Sequence, residues 1–299
     1  MKQHKFSGTG VAIVTPCQGH HIDYPVLGRQ IDHVINGGVN YIVSLGTTGE
    51  AVTLSKEECR AVFDYTIKKV NGRVPLVAGL FGSNYTEKLV AAIEEYDFTG
   101  FDAIMSSSPA YNKPPQEGIY QHYMALERVS PLPIIIYNVP GRTGSNVEPE
   151  TILRLAHASK KFIAIKDASG DLTQGMKILK DRPEGFLVLS GDDPTALSLI
   201  ANGGDGVISV IANAFPSYFS SMIQAALNGD FETAAKLNLD LLDIHPLLYL
   251  EGNPTGVKAA MEIKGLCTKD VRLPLVPLSQ ESYEALAVEL AKVPELVAV

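Results

Sequence analysis

The sequence predicts an α/β fold, a (β/α)8 TIM barrel with a C-terminal helical appendage. Three observations lead there. Short apolar runs begin near residues 10, 41, 75, 103, 133, 162, 186 and 206. Most are apolar at successive positions, not alternate ones, as parallel strands covered on both faces should be. Helical patterns fill the intervals, giving strand–helix units that repeat about every 30 residues and tighten to about 20 at the end. A doubly wound sheet shares these features, but no Gly-x-Gly-x-x-Gly follows the first strand, which weighs against its dinucleotide-binding form.

Taken in order, the first run is Gly10–Pro16. Asp23 then precedes a helix with Leu27, Ile31, Val34 and Ile35 on one face, stopped by Gly37-Gly38. After Tyr41–Gly46, Ser55 and Glu58 form a capping box for a helix carrying Cys59, Val62, Phe63, Ile67 and Val70, with Asn71-Gly72 as its stop. The third run is Pro75–Phe81, and Asn84 precedes Leu89, Ile93 and Tyr96. Runs four to eight are Ala103–Pro109, Pro133–Val139, Phe162–Ser169, Phe186–Asp193 and Gly206–Asn213. From Phe215 the strands stop. Asn228-Gly229 separates two helical patterns, His245-Pro246 bends the second, Asn253-Pro254 opens a third, and Ser279–Leu290 forms the last. The expected division is a catalytic barrel over 1–214 and a helical region over 215–299, packed as one unit because no flexible linker separates them.

Composition narrows the function. The 299 residues carry 25 Lys+Arg against 33 Asp+Glu, a formal charge of −8, with 45% hydrophobic residues. That content excludes disorder, and the acidic balance without basic runs argues against a nucleic-acid partner. No apolar stretch reaches the roughly 20 residues of a membrane span. The start, Met1 to Gly8, is basic but lacks the apolar run of a secretion signal. Cys17, Cys59 and Cys267 are odd in number and widely spaced, which predicts reduced thiols and a cytoplasmic protein. Neither His20-His21-x-Asp23 nor Asp192-Asp193 has a convincing further set of ligands, so no metal is expected.

Lys166 is the most informative residue. It lies within a buried strand, where a charge is costly to desolvate, and toward the strand's C-terminal end, where barrel active sites form. Ala164 and Ala168 share its inward face and leave room around the amine. Desolvation would free its lone pair to attack a carbonyl; a pairing with Asp167 or Asp192 is the structural alternative. Tyr137 ends the preceding strand and would enter the same mouth, as a proton shuttle or simply as a core tyrosine. Arg142 follows in Pro140–Gly144, where its fork suits a carboxylate, although a surface arginine would read the same. Gly46-Thr47-Thr48-Gly49-Glu50 offers backbone amides and hydroxyls to a ligand, or else a tight turn, and it lacks the Gly-Lys-Ser/Thr ending of a phosphate loop. Ser190–Asp193 is similarly open.

Jointly and in this order, GTTGE at 46–50, YNVPGRTG at 137–144, IKDASGD at 165–171, SGDD at 190–193 and GVISV at 206–210 resemble the pyruvate-dependent Schiff-base aldolase and N-acetylneuraminate lyase family. The resemblance covers almost the whole chain. It implies that Lys166 forms a Schiff base with pyruvate, that Tyr137 donates and accepts protons, and that Thr47 relays them. It further implies that Thr48 holds the pyruvate carboxylate and that Gly191 and Ile208 line the pocket, largely through backbone. Tyr111 matches a relay tyrosine contributed by a neighbouring subunit, which makes a homodimer the smallest catalytic unit and a homotetramer, a dimer of dimers, the larger option. Electrons flow into the iminium, so no cofactor is required.

Arg142 selects within the family. A buried cation argues for an acidic aldehyde, which the resemblance implies is L-aspartate 4-semialdehyde, over the neutral sugars of N-acetylneuraminate or 2-keto-3-deoxy sugar-acid aldolases, which usually have an apolar residue there. A non-catalytic keto-acid-binding barrel is the alternative of another class. One departure concerns feedback by L-lysine, which many members bind at a subunit interface. Asn84 is retained, but Ala110 replaces a tyrosine, Lys56 and Cys59 stand at histidine positions and Lys88 at a glutamate position. Two added lysines would repel a cationic effector, so insensitivity to L-lysine is expected.

Overall fold

A computed structural model describes residues 4–79 and 82–294 of the chain. Among them, eight strands close into a barrel: β1 (Gly8–Ala12), β2 (Tyr41–Ser44), β3 (Leu76–Ala78), β4 (Ala103–Ser107), β5 (Ile134–Asn138), β6 (Phe162–Asp167), β7 (Leu187–Ser190) and β8 (Gly206–Ser209). Sequence neighbours pair in parallel, and Gly8 opposite Gly206 closes β1 onto β8. Seven of the eight sequence-predicted runs contain their strand; the first, Gly10–Pro16, overlaps only the end of β1, which starts two residues earlier at Gly8. The last two residues of the third run, Leu80 and Phe81, and the first three of the amino-terminal segment lie outside the described residues.

The successive apolar positions have a direct explanation. Along β2, Tyr41 and Val43 point into the barrel while Ile42 joins the layer beneath the helices; along β5, Ile135 points in and Ile134 and Ile136 point out. Both faces are dry, so neither can be polar. Gly10 of β1 makes this packing possible, because a Cβ there would lie 2.2 Å from the Tyr41 ring. Tyr41 in turn meets Phe6 edge to face, with centroids 5.3 Å apart.

The ring of helices is α1 (Tyr24–Asn36), α2 (Lys56–Val70), α3 (Thr86–Glu95), α4 (Gln116–Val129), α5 (Pro149–Ala158), α6 (Leu172–Asp181), α7 (Ala196–Ala201) and α8 (Pro216–Leu227). Local signals start and stop them as expected. The Asp23 carboxylate accepts from Val26 N at 3.0 Å. The Ser55 hydroxyl accepts from Glu58 N, and Glu58 accepts from Ser55 N at 2.9 Å. Asn71 turns left-handed with φ 49° after α2. Asn84 does not cap a helix. Its side chain accepts from Ala110 N at 2.6 Å and pins two loops together.

Helix α8 packs against β1, β8 and α1. Beyond it come α9 (Phe231–Leu241), α10 (Ile244–Tyr249), α11 (Thr255–Ile263) and α12 (Gln280–Leu290). His245-Pro246 does not bend a continuous helix. The chain breaks after Leu241 and Pro246 sits in the first turn of α10, where a missing N–H costs nothing. Asn253-Pro254 does precede α11, and the Ser279 hydroxyl caps α12 by accepting from Ser282 N. No helix among the described residues is long and apolar enough to cross a membrane.

Candidate active site

At the C-terminal mouth of the barrel lies a cavity of about 350 Å³. Strand order builds its floor. Register pairs Tyr137 of β5 directly with Lys166 of β6, and the Lys166 ammonium nitrogen lies 4.4 Å from the Tyr137 ring centroid. Lys166 is 5% exposed and forms no ion pair with any described residue. Its neighbour Asp167 points away. That carboxylate accepts from Asn138 Nδ2 at 3.0 Å, Gln174 Nε2 at 3.1 Å and Ser169 N at 3.1 Å. Burial raises the Asp167 pKa and those amide donors oppose the rise. Asp192 lines the cavity, but its carboxylate accepts from Thr195 Oγ1 at 2.7 Å.

Glycine provides the room beside the lysine. A Cβ on Gly191 would lie 3.0 Å from Lys166 Cγ and 2.8 Å from Ala168 Cβ, so a larger residue would push into the amine's space. Thr47 and Thr48 face the cavity from the loop after β2, and Arg142 reaches its rim from the single helical turn Pro140–Thr143 after β5. Contrary to the sequence expectation, Arg142 is exposed and not a buried cation, because that turn lies at the open mouth. The chain therefore brings Lys166, Tyr137, Thr47, Thr48, Arg142 and Gly191 to one mouth. Two of the expected residues lie elsewhere. Ile208 belongs to the inner barrel core, and Val210, two residues on, lines the cavity instead. Tyr111 is 90% exposed, held at φ 67°, and is not part of this chain's own cavity.

Tyr249 and Asn253 also line the cavity, and no local sequence signal singles them out. They arrive from the end of α10 and the turn before α11. Asn253 donates from Nδ2 to Thr48 Oγ1 at 3.0 Å. Burial and the nearby Asp193 and Asp192 carboxylates push the Tyr249 phenol well above its usual pKa, while Arg142 opposes them. Asp193 itself is buried and pushed up to about 6, with Val210 N and Ile211 N donating to it at 2.9 and 2.8 Å. Behind the Thr47-Thr48 loop, Glu50 and Lys258 form a fully buried ion pair. Lys258 sits in an otherwise apolar stretch, Val257 to Met261, the same signal that marks Lys166. Among the described residues no group of three or more His, Cys, Asp or Glu is placed to hold a metal ion.

Comparisons with known proteins agree in direction. A family model described as the dihydrodipicolinate synthetase family matches residues 5–293. The 4-hydroxy-tetrahydrodipicolinate synthase of Flavobacterium psychrophilum is 47% identical over 277 residues, covering 92% of this chain and 94% of that protein. Among solved structures, dihydrodipicolinate synthase from Thermotoga maritima superposes with a TM-score of 0.94 at 36% identity, covering 97% of this chain and 99% of that one. A structure described as a monomeric dihydrodipicolinate synthase variant superposes with a TM-score of 0.93 at 36% identity, covering 97% of each chain.

Proposed function

The chain belongs to the dihydrodipicolinate synthetase family, and from that premise we propose that it is a Schiff-base-forming lyase condensing pyruvate with L-aspartate 4-semialdehyde, on the diaminopimelate route to lysine. The observation that carries the reading is Lys166: a buried amine without a counter-ion, beside a phenol and in a cavity that also presents a guanidinium.

The residues take these roles. Lys166 Nζ attacks the pyruvate carbonyl, and loss of water leaves an iminium. Loss of a methyl proton gives an enamine, which attacks the aldehyde carbon. The substrate amine then closes the ring and expels the lysine. Tyr137 donates and accepts the protons of these steps, with Thr47 as relay. Thr48 holds the pyruvate carboxylate through its amide and hydroxyl. Arg142 binds the carboxylate of the semialdehyde with its fork. Gly191 gives the amine its space, and Ile208 supports the floor from within the barrel core.

Tyr111, exposed on a single chain, would complete the proton relay of a second copy, so the smallest working unit is a homodimer, with a homotetramer as the larger option. The monomeric neighbour shares the fold, so the case for a second copy rests on Tyr111 and not on the barrel. The reduced thiols fit a cytoplasmic setting.

Two experiments test this. Borohydride should trap pyruvate on Lys166, and pyruvate with the semialdehyde should turn over when coupled to a dihydrodipicolinate reductase. An adduct without semialdehyde turnover would move the assignment to a sugar-acid aldolase; absence of any adduct would leave a keto-acid-binding barrel. Regulation is a separate reading. Lys56 and Lys88 are exposed, and Asn84 is engaged by Ala110 N. Millimolar L-lysine should leave the rate unchanged, and strong inhibition below that concentration would reject the reading.

A further inference from the structure

The loop that carries Thr47 and Thr48 is held from behind by residues some 200 positions away in the chain. Thr48 Oγ1 accepts a hydrogen bond from Asn253 Nδ2 at 3.0 Å, and both residues are almost completely buried and line the cavity. Two residues beyond Thr48, Glu50 turns left-handed with φ 55°, and its carboxylate pairs with the Lys258 ammonium of α11. The other Glu50 oxygen accepts from Arg272 N at 3.0 Å, and Lys258 Nζ also donates to Asp270 O at 2.8 Å. Arg272 forks onto Glu58 at 2.6 and 2.7 Å, at the start of α2. Both ends of the segment 48–58 are thereby fastened to the C-terminal region.

The direction of the Asn253 bond has a chemical consequence. A hydroxyl has one hydrogen to give. Once Thr48 Oγ1 accepts from an amide, its own hydrogen is free to be donated elsewhere. The Thr48 hydroxyl can then act as a donor toward an anion in the cavity, and a carboxylate is an acceptor-only group. We infer that Asn253, set in place by the turn into α11 beside the Glu50–Lys258 pair, is a positioning residue that fixes the Thr48 hydroxyl as a donor to the carboxylate of the keto-acid substrate. The C-terminal helices are on this account part of the keto-acid site. The inference rests on the assignment of Thr48 proposed above.

The test is a set of variants of the full-length enzyme, read by pyruvate KM, semialdehyde KM, kcat and Tm. Asn253→Ala should raise the pyruvate KM by about 2- to 10-fold, the span expected for loss of one hydrogen bond between neutral groups. The semialdehyde KM should change much less. Asn253→Asp is the sharper variant, since it keeps the shape but presents an acceptor. An ionised carboxylate there captures the Thr48 hydrogen and repels the substrate anion, so its pyruvate KM should exceed that of Asn253→Ala. In a Thr48→Val background, Asn253→Ala should add little, because its target is already gone. Should Asn253→Ala fail to fold, the near-isosteric Asn253→Asp and the Thr48→Val cycle with Asn253→Ser still decide the matter. Multiplying effects in the double variant, an Asn253→Asp enzyme no worse than Asn253→Ala, or a fallen Tm with unchanged pyruvate KM would overturn the inference. Wild-type enzyme that forms no pyruvate adduct would instead overturn the assignment on which it rests.

Discussion

Two lysines are buried among the described residues, and they live by different rules. Lys258, on a helix of the C-terminal region, is 0% exposed and answered by Glu50 and a backbone carbonyl. Lys166, on a strand of the barrel, is 5% exposed and answered by no carboxylate within 4.0 Å among the described residues, only by an aromatic ring and open space. Burying an ammonium costs several kcal/mol unless it is paired. Where the pairing is complete, the lysine holds two parts of the fold together. Where it is missing, the amine stands ready for a ligand. On the roles proposed above, the strand end is the reactive region and the helical appendage the positioning one.

The largest expected effect separates these roles outright. Lys166→Ala should abolish borohydride-trapped pyruvate while leaving a folded barrel, since removing an unpaired charge orphans no partner. Mass spectrometry of the trapped protein and a circular dichroism melt report both halves. An adduct that persists in the variant would move the reactive amine elsewhere.

Glu50→Gln should do the opposite. It leaves the Lys258 ammonium buried without its anion, and breaking such a pair typically costs about 3–5 kcal/mol. A second change, Lys258→Met, should restore part of that loss, because it removes the buried ammonium that the glutamine no longer neutralises. Chemical denaturation of the single and double variants measures it. If Glu50→Gln melts like the wild type, the pair is not the tie described here.

How far the sequence reveals each region follows from the same contrast. Lys166 could be found because a polar residue interrupts a short apolar strand, and because parallel strands in a barrel must end at a common mouth. Tyr137 followed from register, one strand earlier. Asn253 and Lys258 belong to a helical region whose partners lie some 200 residues away, and no local periodicity encodes which loop a helix will meet. The apolar stretch around Lys258 did carry the signal of a buried charge. What it lacked was Glu50, which reads as the end of a glycine-rich turn until the fold sets the two side by side. Ile208 differs again: a resemblance carried it over as a residue acting through its backbone, its inward side chain fills the core, and the side chain lining the cavity nearby is that of Val210.

Arg142→Ala should sit lower in size. Losing a charge-assisted fork to a carboxylate costs about 1.5–3 kcal/mol, so kcat/KM for the semialdehyde should fall about 10- to 100-fold. Pyruvate trapping should survive, which tells Arg142 from the Lys166 and Tyr137 machinery. Unchanged semialdehyde kinetics would sink the carboxylate assignment.

The smallest effect compares the two regions directly. His122 on α4 and His245 on α10 are both buried, and burial lowers each imidazole to about 4. Only His122 has a partner, the Thr86 hydroxyl at 2.9 Å, while both ring nitrogens of His245 lack one among the described residues. The sign is fixed by linkage. Unfolded imidazoles take up protons near pH 6.5 and the folded ones resist until about 4, so stability is lost as pH falls through that window. Each histidine should contribute about 1 kcal/mol of that loss between pH 6.5 and 5.5. Asp193, raised to about 6, opposes them because it binds its proton more readily when folded. Differences from the wild type remove its contribution. His122→Gln and His245→Gln should each flatten the decline measured by urea unfolding at the two pH values. If only His245→Gln does so, His122 takes up no extra proton on unfolding in this range, and its hydrogen bond with Thr86 does not hold it neutral.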